Sequence, residues 1–344
     1  MNILLSSAGR RGYLAEFFKE TLRGEGKVFV GNSDIYAAAR AYADEFVMTP
    51  PISSDEYIPF LLNYCLDKDI RLIVPLFDPD VLVLSKNCDV FAKKGIQVLV
   101  SKEEAVETCN DKWRTYQFCI KNQIHTPKTF LRVEDAKMSL SAGEVNFPVV
   151  IKPRWGMGSI GVYQADNMIE LEILFLKCSR EMAKTYIKSF QNDDHVILIQ
   201  EKLSGTEFGV DIINDLEGTF CCDIIKRKYR MRAGETDCAI LEYDQKIDKL
   251  ARYISERLGH IANLDADFFV EKDECYLLEM NARFGGGYPF SHMAGINLPA
   301  AIMKWIKGES ITDELSARED GFLLQKDIRL VSLPNDGEEC DGKK

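Results

Sequence analysis

The first hundred residues alternate short β-rich runs with longer amphipathic segments, and this alternation restricts the fold more than any other feature of the chain. Asn2–Ser6, Lys27–Gly31, Arg71–Pro75 and Gln97–Val100 read as strands, and Tyr13–Arg23, Asp55–Lys68 and Lys102–Cys109 as helices. Strands separated by helices predict a parallel sheet with crossover helices. Such sheets take ligands at the carboxyl ends of their strands, where the strand order reverses. The loop after the first strand, Ser7-Ala8-Gly9-Arg10-Arg11-Gly12, lies at such an end and opens a helix, which makes Arg10 a candidate for an anionic substrate group. Plain solvated arginines are the alternative.

Further along, Gly156-Met157-Gly158-Ser159-Ile160-Gly161 matches the G-x-G-x-x-G pattern of dinucleotide loops. Its context contradicts that reading. Pro148–Lys152 is a strand, but Gly161–Asp166 has β-type residues and no apolar helical period, whereas a dinucleotide loop needs a helix to carry the pyrophosphate. The loop is therefore expected to join two antiparallel strands as a glycine flap whose backbone N–H groups can approach triphosphate oxygens. Val149 and Ile151 share one face of the incoming strand, and Val150 and Lys152 the other, which sets the Lys152 ammonium beside the flap.

The most specific stretch is Tyr276–Gly287. At a period of two, Glu279, Asn281 and Arg283 line one face of a strand while Leu278, Met280 and Ala282 line the other. Upstream, Ala266–Val270 reads as a second strand and Glu271–Glu274 as the turn between them. In a symmetric hairpin Asp267 and Glu279 sit opposite each other, where bare carboxylates repel. A hard divalent cation relieves that repulsion, and carboxylates with an amide oxygen suit Mg²⁺, so Asp267, Glu279 and Asn281 are the candidate ligands. Arg283 is placed to neutralise charge on a transferring phosphoryl group. The triplet Gly285, Gly286 and Gly287 favours close approach of a ligand to backbone. A solvent-facing hairpin with outward polar residues is the rival reading.

Two segments between these elements carry further candidates. The apolar strand ending in Gln200-Glu201-Lys202-Leu203 can offer its backbone to an adenine edge, and Glu207 can accept hydrogen bonds from ribose hydroxyls. In Lys226–Glu235 the same period sets Lys226, Lys228, Arg230 and Arg232 on one face. Arg230 and Arg232 are the candidates for an anionic substrate there, with a solvated basic edge strand as the alternative. His292 is a further possible lining residue.

Composition narrows the functional classes. The 344 residues favour two or three domains, and 43 Lys+Arg against 54 Asp+Glu give a net charge of -11, the wrong sign for a general nucleic-acid binder. The ten cysteines form no C-x-x-C pair and no export signal opens the chain, so a cytoplasmic protein with reduced thiols is expected. Phe284–Met303 lacks Asp, Glu, Lys and Arg, but its glycines and prolines break it as a membrane helix, and no membrane association is expected. Only four histidines are present and no Ser/His/Asp triad is evident.

Taken in order, Lys112, then V-I-K-P with its glycine loop, then Q-E-K-L-S-G-T-E, then the hairpin ending E-M-N-A-R-F-G-G-G, the chain resembles the ATP-grasp superfamily. Within it, the likeness is to ligases related to the carbamoyl-phosphate synthase large chain. It spans roughly Met1 to Lys307, and E-x-N-x-R-x-G-G-G is its most specific part. The resemblance implies an α/β chain in which an N-terminal doubly wound, Rossmann-like pre-ATP-grasp domain (1–110) precedes a two-lobed ATP-grasp fold. The lobes would be a linker helix with a lid (111–200, lid core about 125–200) and a C-terminal subdomain with the metal site (201–310). An extension and tail (311–344) would follow, frayed over Asn335–Lys344.

Carried across residue by residue, the resemblance implies that Lys112 and Lys152 contact ATP phosphates, with Gly156, Gly158, Ser159 and Gly161 in the flap. Glu201, Lys202 and the backbone at Leu203 would meet adenine, and Glu207 the ribose. Asp267, Glu279 and Asn281 would hold Mg²⁺ or Mn²⁺, and Arg283 the γ-phosphate or acyl phosphate. Position 267 is Asp where several relatives carry Gln or Glu. The single ATP unit, without a glutaminase-like segment, argues against carbamoyl phosphate synthesis itself. The implied activity is ATP-dependent ligation of a small carboxylate to a small amine through an acyl phosphate, with a homodimer by analogy. A small-molecule kinase, a non-catalytic ATP sensor and a nicotinamide oxidoreductase are the rivals.

Overall fold

The computed structural model describes residues 1–156, 158, 160–183, 195–317 and 320–333. They form two compact units, the first made of Met1–Asp80, Asn87–Leu99 and the segment from Asp327 on, the second of Val81–Lys86 and Val100–Lys326.

In the first unit β1 (Asn2–Ser6), β2 (Val28–Asn32), β3 (Glu45–Met48), β4 (Ile70–Pro75) and β5 (Gln97–Val98) form a parallel sheet in the order β3-β2-β1-β4-β5. Ile3, Leu4, Leu5, Val28, Phe29, Val30, Leu72, Ile73 and Val74 are all buried. Strands covered on both faces read as continuous apolar runs, which is why the sequence marks them clearly. β1 lies between β2 and β4, so the strand order reverses there, and the loop Ser7–Gly12 leaves its carboxyl end as expected. Gly12 opens the helix Gly12–Leu22 against Tyr42, whose ring leaves no room for a side chain. At the same end, Ser6 Oγ and Tyr57 OH donate to the buried Asp80 carboxylate at 2.6 and 2.7 Å.

The boundaries differ from expectation at two points. The helix Glu103–Asn110 belongs to the second unit, so the first ends at Leu99 rather than at residue 110. The segment from Asp327 returns to the first unit, where Arg329 donates to Glu16 at 3.1 Å and lies over the Tyr42 ring. The expected frayed tail, Asn335–Lys344, lies outside the described residues. The helix Asp78–Ala92 and strand β3 were not legible; that helix keeps Val81, Leu84 and Phe91 buried but Val90 exposed, and its apolar residues mark no single face.

The second unit contains two antiparallel sheets. In the smaller, β6 (Thr129–Phe130), β7 (Val149–Pro153), β8 (Tyr163–Ala165) and β9 (Ile197–Glu201) lie in the order β6-β9-β7-β8. Val149, Ile151, Ala165, Ile197 and Ile199 pack with Ala136 of the helix Val133–Ser141 and with Leu171 and Cys178 of the helix Met168–Met182. That last helix starts where Asn167 accepts a hydrogen bond from the Glu170 N–H.

The larger sheet runs β14-β13-β10-β11-β12-β15, from β10 (Thr206–Asn214), β11 (Phe220–Arg232), β12 (Glu235–Leu241), β13 (Ala262–Glu271), β14 (Glu274–Asn281) and β15 (Leu323–Gln325). One face packs Phe208, Val210, Ile212, Ile225, Leu264, Ala266, Phe268 and Met280 on Ile247, Ala251 and Ile254 of the helix Gln245–Leu258. Alternation then sends Glu207, Gly209, Asp211, Lys226, Asp265 and Asp267 to the other face. The turn between β13 and β14 takes Lys272 and Asp273 at positive φ, 49° and 70°, the hand that matches strand twist in a two-residue hairpin. The uncharged stretch from Phe284 holds two short helices, Tyr288–Met293 and Leu298–Ile306, and no helix among the described residues is long and apolar enough to cross a membrane.

Candidate active site

A cleft of about 280 Å³ lies within the second unit, between its two sheets. It is lined by Lys112, Lys152, Gly156, Gly158, Glu201, Lys202, Leu203, Glu207, Asp267 and Glu279, so ten positions named from the sequence converge.

Each arrives for a local reason. Asp111 caps the helix Lys112–Lys121 by accepting from the Trp113 N–H, and Arg154 grips the same carboxylate through Nε and Nη2, both at 2.7 Å. That fixes the start of the helix, and from there Lys112 Nζ donates to the Gly156 carbonyl at 2.8 Å and lies 3.9 Å from Glu279. Lys152 follows the alternation of β7: Val149 and Ile151 go to the core, and Val150 and Lys152 to the cleft. β7 and β8 pair antiparallel, so the glycine loop is a hairpin flap and not a dinucleotide loop. Gly156, Gly158 and Gly161 all have positive φ (130°, 65° and 73°), which a side chain would strain. Ser159 lies outside the described residues. β9 ends at Glu201, whose carboxylate accepts from the Lys128 N–H, and Lys202 and Leu203 continue along the cleft wall.

Asp267 and Glu279 are direct partners across β13 and β14, as the symmetric hairpin requires. Their environments push them apart. Burial drives the Asp267 carboxyl up to about 7, with Lys228 opposing and Asp265 and Glu279 adding to the rise. Burial also acts on Glu279, but Lys112, Lys152, Lys228 and Arg283 together hold it below the usual carboxylate range. Lys152 is pushed down to about 8, chiefly by burial, with Lys112 adding to the fall and Glu279 and Asp267 resisting it. Among the described residues no three His, Cys, Asp or Glu side chains form a ready cage for a metal ion. Two opposed carboxylates nonetheless fit Mg²⁺, which commonly takes one or two carboxylates and completes its shell with phosphate and water.

Three expectations are corrected. Leu278 does not share the core face with Met280: a bulge between Asp267 and Phe268 pairs Phe268 with Leu277, leaving Leu278 to line the cleft beside Glu279. The four cations of β11 do not share a face either. The register shifts between Lys228 and Arg230, so Lys226 and Lys228 turn inward, while Arg230 and Arg232 are exposed and Arg232 pairs with Asp237 at 3.0 Å. Nor does the glycine triplet hold open a ligand space, because at Gly285 the room of a side chain is taken by the Asp265 carboxylate and at Gly286 by Glu235. Asn281 and Arg283 are not among the residues lining the cleft; Asn281 pairs with Asp265 in the ladder, and Arg283 bonds Asp265 at 3.5 Å and the Phe284 carbonyl at 3.1 Å. Arg10 is exposed in the first unit, and His292 contacts Tyr288 OH at 3.2 Å.

Sequence reasoning missed Asp265 and undervalued Lys226 and Lys228. Asp265 precedes Asp267 by two, on the same face of a strand already identified. Lys226 bonds the buried Asp211 and donates to Ser291 Oγ at 2.8 Å. Lys228 donates to Glu207 at 2.7 Å and Asp267 at 2.6 Å.

Comparison with known proteins agrees with this geometry. Residues 3–99 match the PylC-like N-terminal domain family, and residues 193–326 match the family described as ATP-grasp in the biosynthetic pathway with Ter operon. Among solved structures, a biotin carboxylase β-γ-ATP complex from Campylobacter jejuni superposes with a TM-score of 0.72 at 19% identity, covering 92% of this chain and 73% of that one. N5-carboxyaminoimidazole synthetase from Staphylococcus aureus gives 0.66 at 14% identity (91% and 78%). L-amino acid ligase from Bacillus licheniformis gives 0.64 at 18% identity (88% and 73%). The biotin carboxylase domain of Hydrogenobacter thermophilus 2-oxoglutarate carboxylase was solved as a dimer with MgADP. Residues 3–99 thus form a PylC-like N-terminal domain and residues 193–326 an ATP-grasp domain, on a fold shared with the biotin carboxylase, N5-carboxyaminoimidazole synthetase and L-amino acid ligase structures.

Proposed function

We propose that the protein joins a small-molecule carboxylate to an amine, with Mg-ATP converted to ADP and phosphate. The observation that carries this reading is one cleft lined together by Lys112, Lys152, the cross-strand pair Asp267 and Glu279 and the glycines of the flap. In the first step a carboxylate oxygen attacks the γ-phosphorus, the bond to the β-phosphate oxygen breaks, and ADP leaves. In the second, the amine nitrogen attacks the acyl carbon of the acyl phosphate, phosphate departs, and the nitrogen loses a proton to give the amide.

Such chemistry needs no nucleophilic side chain, because positioning and charge stabilisation carry phosphoryl transfer. Lys112 and Lys152 would hold the phosphate oxygens, and Leu203 with Glu201 and Lys202 the base. Glu207 would accept from the ribose. Mg²⁺, held by Asp267 and Glu279 with Asn281 as the expected third ligand, would spread the negative charge of the phosphates. Arg283 would neutralise the reacting group once ligand is bound. The flap would keep water from the acyl phosphate. Arg230 and Arg232 would meet an anionic group of the substrate.

The test is an ADP-release screen crossing carboxylic acids with amines, with product masses measured and Glu279→Ala as the control. An amide mass that requires both substrates, lost in Glu279→Ala, supports the reading. A stable phosphorylated product formed without any amine would instead make the protein a kinase, and nucleotide binding without turnover on any pair would make it a sensor.

A further inference from the structure

Lys228 is one of several buried cations of the second unit, with Lys152 and Lys226, and is set apart by its two carboxylate partners. Its side chain is 5% exposed, and its ammonium bonds two carboxylates on different strands, Glu207 on β10 at 2.7 Å and Asp267 on β13 at 2.6 Å. It reaches them across Gly209, where a Cβ would come within 3.0 Å of Lys228 Cε and 3.7 Å of the Asp267 carboxylate. Any larger residue at 209 would crowd that path. Burial alone would push the lysine pKa down, but Asp267 and Glu207 outweigh it and keep the ammonium charged. Removing one partner of such a buried pair leaves an uncompensated charge, which is far costlier than losing a surface pair.

The two carboxylates belong to different ends of the proposed ligand. Glu207 is the ribose acceptor and Asp267 a metal ligand, and one shared cation lies between them. From this arrangement we infer that Lys228 is a positioning residue that couples the nucleoside end of the cleft to the metal end. The inference rests on the nucleotide reading proposed above. A cation divided between two carboxylates acts less on each than on one alone. When Glu207 turns to a ribose hydroxyl, Lys228 shifts its hold toward Asp267; when Asp267 turns to the metal, Lys228 shifts toward Glu207. Occupancy of one end therefore sets the charge felt at the other, without any movement of the backbone.

The test is a double-mutant cycle read on the Mg²⁺ concentration that half-saturates binding of a fluorescent ADP analogue. In the wild-type background Glu207→Gln leaves the whole of Lys228 to Asp267, and is expected to raise that Mg²⁺ concentration at least threefold. In the Lys228→Met background the same substitution is expected to change it by less than 1.5-fold. A purely structural lysine would not make the metal response to Glu207→Gln depend on its presence. Thermal melting confirms that each variant is folded. If Lys228→Met is not, Gly209→Ala takes its place in the cycle, since the added methyl displaces the lysine stem. Equal Mg²⁺ shifts in both backgrounds, or none in either, overturn the inference while leaving nucleotide binding intact. A wild-type chain that binds no ADP analogue overturns the nucleotide reading of the cleft and this inference with it.

Discussion

Lys152→Met should make the nucleotide-free protein more stable and its nucleotide affinity lower. Burial, the largest cause, pushes the lysine pKa down from 10.5 to about 8, and holding the ammonium charged there costs about 3 kcal/mol at neutral pH. The cost is full below pH 8, where the ammonium is charged in both folded and unfolded chains. It declines between pH 8 and 10.5, where the unfolded chain binds the extra proton, and is gone above that range. Methionine keeps most of the stem and removes the charge, so at pH 7 the second unit should gain up to about 3 kcal/mol, a rise of several degrees at roughly 2–4 °C per kcal/mol. The same change deletes a charged donor to phosphate worth about 1.5–3 kcal/mol, weakening Mg-ATP binding roughly 10- to 150-fold. Scanning calorimetry at pH 7 and 9.5 should find the stability gap between variant and wild type narrowing at the higher pH. Titration calorimetry near pH 8.5 should detect proton uptake on Mg-ATP binding, as a heat that varies with buffer ionisation enthalpy in the wild type alone. A variant that melts below wild type at both pH values yet binds Mg-ATP equally well would refute the reasoning.

Two further outcomes are expected. Gly285→Ala should destabilise the second unit by more than about 2 kcal/mol in urea unfolding, because the new methyl would overlap the Asp265 carboxylate, and an unchanged midpoint would remove the packing role assigned to that glycine. Acid should cost stability through His260. Burial lowers its pKa to about 4 and its Nε2 donates to the Ile212 carbonyl at 3.0 Å, so stability is full above about 6.5 and falls as pH drops from there toward 4. An unfolding free energy flat between pH 6.5 and 4.5 once carboxylate variants are controlled for would contradict this.

The sequence made visible those parts of the site that depend on strict alternation. Val149 to Lys152 in β7 and the facing of Asp267 on Glu279 follow from a period of two and one short turn. What stayed hidden follows from interruptions of that period. The shift after Lys228 and the bulge at Leu278 depend on how two strands register, which neither strand carries alone, and each moved side chains to an unexpected face. Lys228 was present in the basic run but could not be separated from Arg230, because its distinction is burial behind Gly209, a residue on another strand. The glycine triplet misled for a related reason: a glycine marks close approach, and the approaching group at Gly285 is the protein's own Asp265.

The return of the chain to the first unit bears on the order of synthesis. All five strands of the parallel sheet are complete once Val98 has been made, and helical crossovers close them over short separations. The contact of Arg329 with Glu16 spans 313 residues, so it forms only after the whole second unit has been translated. Loop closure grows only with the logarithm of length, and the delay therefore costs little free energy. A ribosome-bound chain ending near residue 130 should already protect the amides of β1 and β4 from exchange, while β12 waits for Leu323–Gln325 to cover its edge.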